Sequence, residues 1–332
     1  MITRRLKSVS ITVIGLVGVT ALIVPLALLA FAVDAVRFTL HRVPWMAIRL
    51  LAFLWVYLAA ETFGLLALLA IWVASGFGAR AAWLQERTWS FQQLWAAVLF
   101  GAARGLMGLK LGVEGDGEVA PGPVIVLVRH ASILDNLLPS VLVARAHRIH
   151  LRYVLKRELL SDPCLDVAGK RLPNYFVRRG TGEAVERENI RRLAEGLTSR
   201  DGILLYPEGT RFTPERRERL LAAVAERDAE RAQRLGRVEN LLPPKVGGFL
   251  ALLEGAPDAD VVVMAHAGLD GLRLISDIWQ GALVGRTIAV RFERTARSEI
   301  PEDPAARVQW LDDAWLRADG WVAGRLAAGA RS

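Results

Sequence analysis

The chain has 332 residues, enough for one sizeable core with an accessory segment rather than a string of domains. Apolar residues make up 53% of it and the mean hydropathy is +0.30, with most of the excess before residue 110, so a membrane part joined to a globular part is expected. A net charge of +8 invites nucleic acid, but no zinc-finger spacing, RNP-like stretch or compact Lys/Arg tract accompanies it. Attraction to anionic lipid headgroups fits that charge better beside apolar segments.

Residues 11–33, "ITVIGLVGVTALIVPLALLAFAV", hold no charge and are long enough to cross a bilayer. A signal peptide is the competing reading, since Arg4, Arg5 and Lys7 precede the run and "AFA" at 30–32 mimics a cleavage site. The second apolar stretch, 50–75, carries Glu61 near its middle. An ionisable group there needs a partner, a polar cavity, or an interface in a hairpin that dips in without crossing. Basic residues flank both stretches, and two crossings would leave both chain ends on one side. The single Cys164 excludes an internal disulfide, which suits a body facing the cytoplasm. Residues 88–111, rich in Trp, Phe and Leu with a few basic residues, read equally as an interfacial helix or a core-packing one.

From 120 onward short apolar runs alternate with helical patterns. The runs are 122–128, which is rich in valine, and the similar 151–155, 174–178, 202–206, 260–266 and 286–292, which read as strands buried on both faces. Helical periodicity covers 184–198 and 213–235, the latter opening on a Thr cap with Pro in its first turn. The expected fold is α/β, a mostly parallel or mixed sheet flanked by helices, preceded by an N-terminal helical membrane anchor. The expected organisation is an anchor over 1–80, an amphipathic connector over 81–119, the globular domain over 120–322 and a frayed tail over 323–332.

Four stretches carry groups suited to chemistry. In "VLVRHASILDN" (126–136), His130 follows a strand end and Asp135 comes five residues later. Positions five apart on one helix diverge by about 140°, so the two meet only if His130 lies in the turn before a helix. There Asp135 would fix the tautomer and leave the other ring nitrogen as a base. The bland alternative makes Asp135 a cap paired with Ser132. His266, with Asp270 four residues on, shows how easily such pairs arise. "LYPEGTRFTPE" (205–215) places Glu208, Gly209, Thr210 and Arg211 in a strand-to-helix turn, where backbone N–H groups and a guanidinium can hold phosphate. "NYFVRRGTGE" (174–183) sets Arg178 and Arg179 at a strand end, and "LLPPKVGGFLALLEG" (241–255) sets Lys245 after a rigid Pro-Pro turn. Each of these has an ordinary reading as a polar loop, a solvated edge or a connector.

Taken in order, the four blocks resemble the membrane-bound glycerolipid acyltransferases, the family that includes 1-acylglycerol-3-phosphate acyltransferases. The resemblance covers about 120–322 and is most specific at Pro207–Arg211; "LLPPKVGGF" and "FT" at 212–213 look like the eukaryotic-type lysophosphatidic acid branch. Two departures, Arg129 where Asn is common and Arg178 where Asp or Asn is frequent, add positive charge beside the expected phosphate site. The resemblance implies transfer of a fatty acyl group from acyl-CoA or an acyl-carrier protein to a lysophospholipid hydroxyl, giving phosphatidic acid when the acceptor is lysophosphatidic acid. His130 would be the base, oriented by Asp135. Glu208, Gly209, Thr210, Arg211 and Arg179 would form the phosphate site, with Arg178 and Lys245 secondary to it. No metal, cofactor or covalent intermediate is called for, and the partners are membrane lipids rather than nucleic acid. A bacterial-type inner membrane or its equivalent is the expected location, with the catalytic part on the cytoplasmic side. Other acceptors (glycerol 3-phosphate, another lysophospholipid, a lyso-aminolipid) and a non-catalytic lipid-binding scaffold are the rival readings.

Overall fold

The computed structural model describes residues 2–132, 134–177, 182–270 and 275–329. Its N-terminal region is helical: α1 (Ile2–Ala21), α2 (Ile23–His41) and α3 (Ala47–Ala74). The uncharged run 11–33 is not one span, because the helix is interrupted at Leu22 with Pro25 just beyond. Among the described residues the helices long and apolar enough to cross a membrane are α2 and α3. Their outward side chains, including Leu28, Leu29, Leu66 and Leu69, are more than half exposed.

The two acidic groups inside this apolar region, Asp34 and Glu61, both have partners. Asp34 of α2 caps α3, accepting the N–H groups of Met46, Ala47 and Ile48 at 2.9, 2.9 and 3.0 Å. Glu61 of α3 is fully buried and has a partner within the protein. Its carboxylate accepts Trp95 Nε1 from α4 (Ala81–Met107) at 2.9 Å and the Cys164 N–H opening α5 (Pro163–Arg171) at 3.0 Å. Helix α4 turns Ala96, Phe100, Ala103 and Met107 inward, so it packs into the core, while Leu94 and Val98 remain on its outer side.

Among the described residues seven strands form one sheet: β1 (Lys110–Glu114), β2 (Val124–Val128), β3 (His150–Lys156), β4 (Tyr175–Val177), β5 (Asp201–Leu205), β6 (Asp260–Ala267) and β7 (Thr287–Thr295), in the order β1-β7-β6-β2-β5-β3-β4. Every neighbouring pair is parallel except β6–β7. Six strands coincide with the expected runs; β1 is an addition, an edge strand whose half-exposed "KLGVE" hides its alternation. One face packs on α6 (Glu183–Ala194), α8 (Ala229–Leu235), α9 (Val246–Gly255) and α11 (Pro304–Gly329), with Trp315 of α11 fully buried. The other face packs on Phe100 and Met107 of α4 and on a π-helical turn over Ser140–Arg145.

The helix expected over 213–235 is divided into α7 (Pro214–Ala225) and α8, because Asp228 caps α8 by accepting Arg231 N–H at 2.8 Å. A short helix, α10 (Ile275–Trp279), precedes β7. The tail expected from 323 is helical to Gly329, where Arg325 pairs with Glu114 and Trp321 Nε1 donates to Glu114 at 3.1 Å.

Candidate active site

β2 is buried along its length and paired on both sides, so the chain turns away only beyond Val128. That places the following loop at the carboxyl end of the central parallel strands, where α/β sites form. The loop is built on Asp135, which sits in a single 3-10 turn over Leu134–Asn136. Its Oδ2 accepts the N–H groups of Ala131 (2.7 Å) and Ser132 (2.8 Å), and its Oδ1 lies 3.1 Å from His130 Nδ1. The two readings of the spacing thus merge, since the same carboxylate caps the turn and holds the imidazole. Burial would push Asp135 up, but the two imidazoles beside it, His130 and His266, hold it well below the usual carboxylate range. An ionised Asp135 keeps a proton on His130 Nδ1 and leaves Nε2 as the basic nitrogen. Tyr206 lies against the His130 ring, centroids 4.7 Å apart.

The second loop leaves β5 as Tyr206-Pro207-Glu208-Gly209, closed by Gly209 N–H donating to Tyr206 O at 3.0 Å. Pro at the second turn position presets its φ. Gly209 has φ +65°, and a Cβ there would stand 3.1 Å from Lys245 Nζ, so glycine suits both the backbone and the lysine lying across it. Thr213 caps α7 as expected, accepting Arg216 N–H at 3.2 Å.

Glu208 is corrected from the phosphate-binding set. It is fully buried; Oε1 accepts His130 N–H at 2.7 Å and Oε2 accepts Leu242 N–H at 3.0 Å. Burial pushes its carboxyl up to about 8, against the pull of the His130 N–H and of the Arg129 charge. With both oxygens committed to backbone, Glu208 joins the histidine loop to the segment that delivers Lys245. Asp319 of α11 steadies that segment by accepting the N–H groups of Glu239, Asn240 and Leu241 at 3.1, 2.6 and 3.1 Å.

Between the two loops opens a cavity of about 430 Å³, within the range of small-molecule sites. Its apolar wall includes Val154, Leu155, Leu159, Ile190 and Leu205, and its polar lining includes His130, Lys156, Gly209, Arg211 and Lys245. Thr210 is half-buried in the same loop and is not part of the lining. Arg178 and Arg179 lie outside the described residues.

Arg129 adds no charge to the cavity, contrary to expectation. It is fully buried, donating to His266 O at 2.5 Å and Asn240 O at 2.9 Å, and it pairs with Asp270. Cys164 is buried in α5, its thiol donating to Glu61 O at 3.3 Å, away from the cavity. Two residues of the site, Lys156 and Tyr206, went unread in the sequence, and a third, His266, was noticed only as a chance pair with Asp270. Lys156 ends β3, Tyr206 follows β5 directly and His266 is the penultimate residue of β6, so the carboxyl ends of parallel strands were the signal available. Among the described residues no group of three or more His, Cys, Asp or Glu side chains is placed to hold a metal ion.

Comparison with known proteins gives this arrangement its class. Residues 110–267, which span β1 to β6, match the family model described as Acyltransferase, in line with the resemblance that the four blocks carry. A solved structure with this fold is the 1-acyl-sn-glycerophosphate (LPA) acyltransferase PlsC from Thermotoga maritima. It is 16% identical, with a TM-score of 0.52 over 82% of this chain and 95% of that one. At that identity the likeness is one of fold.

Proposed function

We propose that the chain moves a fatty acyl group from an acyl thioester to the free hydroxyl of 1-acyl-glycerol-3-phosphate, yielding phosphatidic acid. The observation that carries this reading is a single cavity suited to both halves of a lysophospholipid. Apolar wall is available for an acyl chain, Arg211 and Lys245 for a phosphate, and His130 lines the same space. On this reading His130 Nε2 takes the hydroxyl proton as the oxygen attacks the thioester carbonyl. The tetrahedral intermediate then expels the thiolate, which receives that proton. The cations lining the cavity are suited to stabilising the oxyanion. Gly209 lets the phosphate approach the backbone, and Thr210 and Arg179 are assigned to the same phosphate. Glu208 acts through the His130 backbone.

The donor is acyl-CoA or an acyl-carrier protein. Exposed apolar side chains on α2 and α3 support attachment to a membrane, and the catalytic domain is assigned to its cytoplasmic side. An acceptor other than lysophosphatidic acid would use the same chemistry.

The test is product formation from lysophosphatidic acid and labelled acyl-CoA, or labelled acyl-carrier protein, by the full chain and by His130→Ala in detergent. Phosphatidic acid is expected from the wild type, with a loss on the order of 10²–10⁴-fold in the variant. Equal background from both proteins with either donor would sink the proposal in favour of another acceptor or of lipid binding without turnover.

A further inference from the structure

His266 is the penultimate residue of β6 and is fully buried beside the loop that carries His130. Its Nε2 lies 3.0 Å from the carbonyl oxygen of Arg129, and a carbonyl only accepts, so Nε2 carries the proton. Its Nδ1 is buried with no hydrogen-bond partner among the described residues. Asp135 Oδ2 stands 3.6 Å from Nε2, near enough for charge to matter but beyond a hydrogen bond.

The peptide held in this way is the one that carries the base. Arg129 N–H still belongs to the sheet, donating to Met264 O at 3.2 Å, but the Arg129–His130 peptide lies past the last ladder bond. Its two polar groups are gripped instead by side chains: the carbonyl by His266 and the His130 N–H by Glu208 Oε1 at 2.7 Å. Buried backbone groups need such partners. The grip is also reciprocal, because the Arg129 guanidinium donates to the His266 carbonyl at 2.5 Å and pairs with Asp270, whose Oδ2 accepts Gly268 N–H at 3.1 Å. Arg129 and His266 therefore clasp each other's backbone across β2 and β6. The His266–Asp270 pair, which looked like chance in the sequence, contributes both of its members to this clasp.

We propose that His266 is a positioning residue for His130: its imidazole fixes the peptide plane from which the base projects and stands beside the carboxylate that orients it. The inference rests on the reading of His130 as general base. Loss of the Nε2–H leaves the Arg129 carbonyl unpaired in the core, and the histidine backbone is then free to tilt. Misplacement of a reacting group by about 1 Å costs on the order of 10²-fold in rate. Substrate binding, which uses Arg211, Lys245 and the apolar wall, is left in place.

The experiment compares His266→Phe, His266→Gln and His130→Ala with wild type as full-length chains in detergent. It uses lysophosphatidic acid and whichever thioester donor supports wild-type turnover. His266→Phe should lower kcat by about 10–100-fold with KM for the acceptor within about twofold. His266→Gln should recover most of that loss, because its amide nitrogen reaches the place of Nε2 and donates. No product from wild type, or a His130→Ala enzyme as active as wild type, overturns the reading of the site and this inference with it. With His130→Ala inactive, an unchanged kcat in His266→Phe overturns the inference alone. Should the Phe variant fail to fold, His266→Asn replaces it: its amide is too short to reach the Arg129 carbonyl. A kcat equal to that of the Gln variant would then refute the positioning role.

Discussion

Two buried carboxylates stand in the same site and behave in opposite ways. Asp135 in the loop after β2 and Glu208 in the loop after β5 are both fully buried, and both accept backbone N–H groups of the 130–132 segment. Asp135 faces two imidazoles and is held low, whereas Glu208 spends its oxygens on two amides and is pushed up to about 8 by burial. Burial alone raises a carboxyl, so the neighbours decide which one remains an anion. One carboxylate therefore governs the proton on the His130 ring, and the other governs where that histidine sits.

Variants can break this division at either end. The largest effect is expected from Asp135→Asn, which offers His130 Nδ1 an amide that either opposes its N–H or reverses the tautomer. The rate with lysophosphatidic acid should fall on the order of 10³-fold with little change in KM, read by steady-state kinetics. Next comes Arg211→Ala, which on the proposed reading removes a phosphate partner and leaves His130 alone. KM should rise about 10–100-fold for a phosphorylated acceptor and much less for an unphosphorylated one, so a uniform fall in kcat would count against its assignment.

Glu208→Gln should have the smallest effect on rate, a few-fold, and a distinctive effect on stability. Glu208 binds its proton more tightly folded than unfolded. Its contribution is thus complete below its ordinary value near 4.5 and is lost as pH rises through about 8. Thermal midpoints followed between pH 5 and 9 should accordingly decline less steeply in the Gln variant. Parallel slopes would place the Glu208 carboxyl nearer its ordinary value.

Much of the architecture could be read from the sequence because parallel strands buried on both faces leave continuous apolar runs, as "VIVLV" and "DVVVMAHA" do. β1 escaped because an edge strand with Lys110, Gly112 and Glu114 shows no such run and abuts an apolar helix. The site was legible where local spacing sets the contact, as for His130 with Asp135. It was not legible where strands far apart in sequence bring the partners together. The depth of Arg129 and its pairing with Asp270, across 141 positions, follow from the β2–β6 register, and so does the place of His266. Glu208 was misread for the same reason: a charged residue in a phosphate-type loop looks like a ligand until the loop's inward side is known.

The joint between α3 and α5 has a mechanical consequence. Glu61 binds the start of α5, Arg171 near the end of α5 donates to Leu68 O at 2.9 Å, and Arg4 and Arg5 of α1 pair with Asp166 at 2.7 and 2.5 Å. The apolar helices are thereby bolted to the α/β body rather than tethered to it. With α2 and α3 in lipid, on the proposed reading, the body could neither swivel nor bob like a buoy on a line. The cavity would ride at one height and tilt above the bilayer, so a lipid would be admitted by the draught of the hull and not by the slack of a mooring.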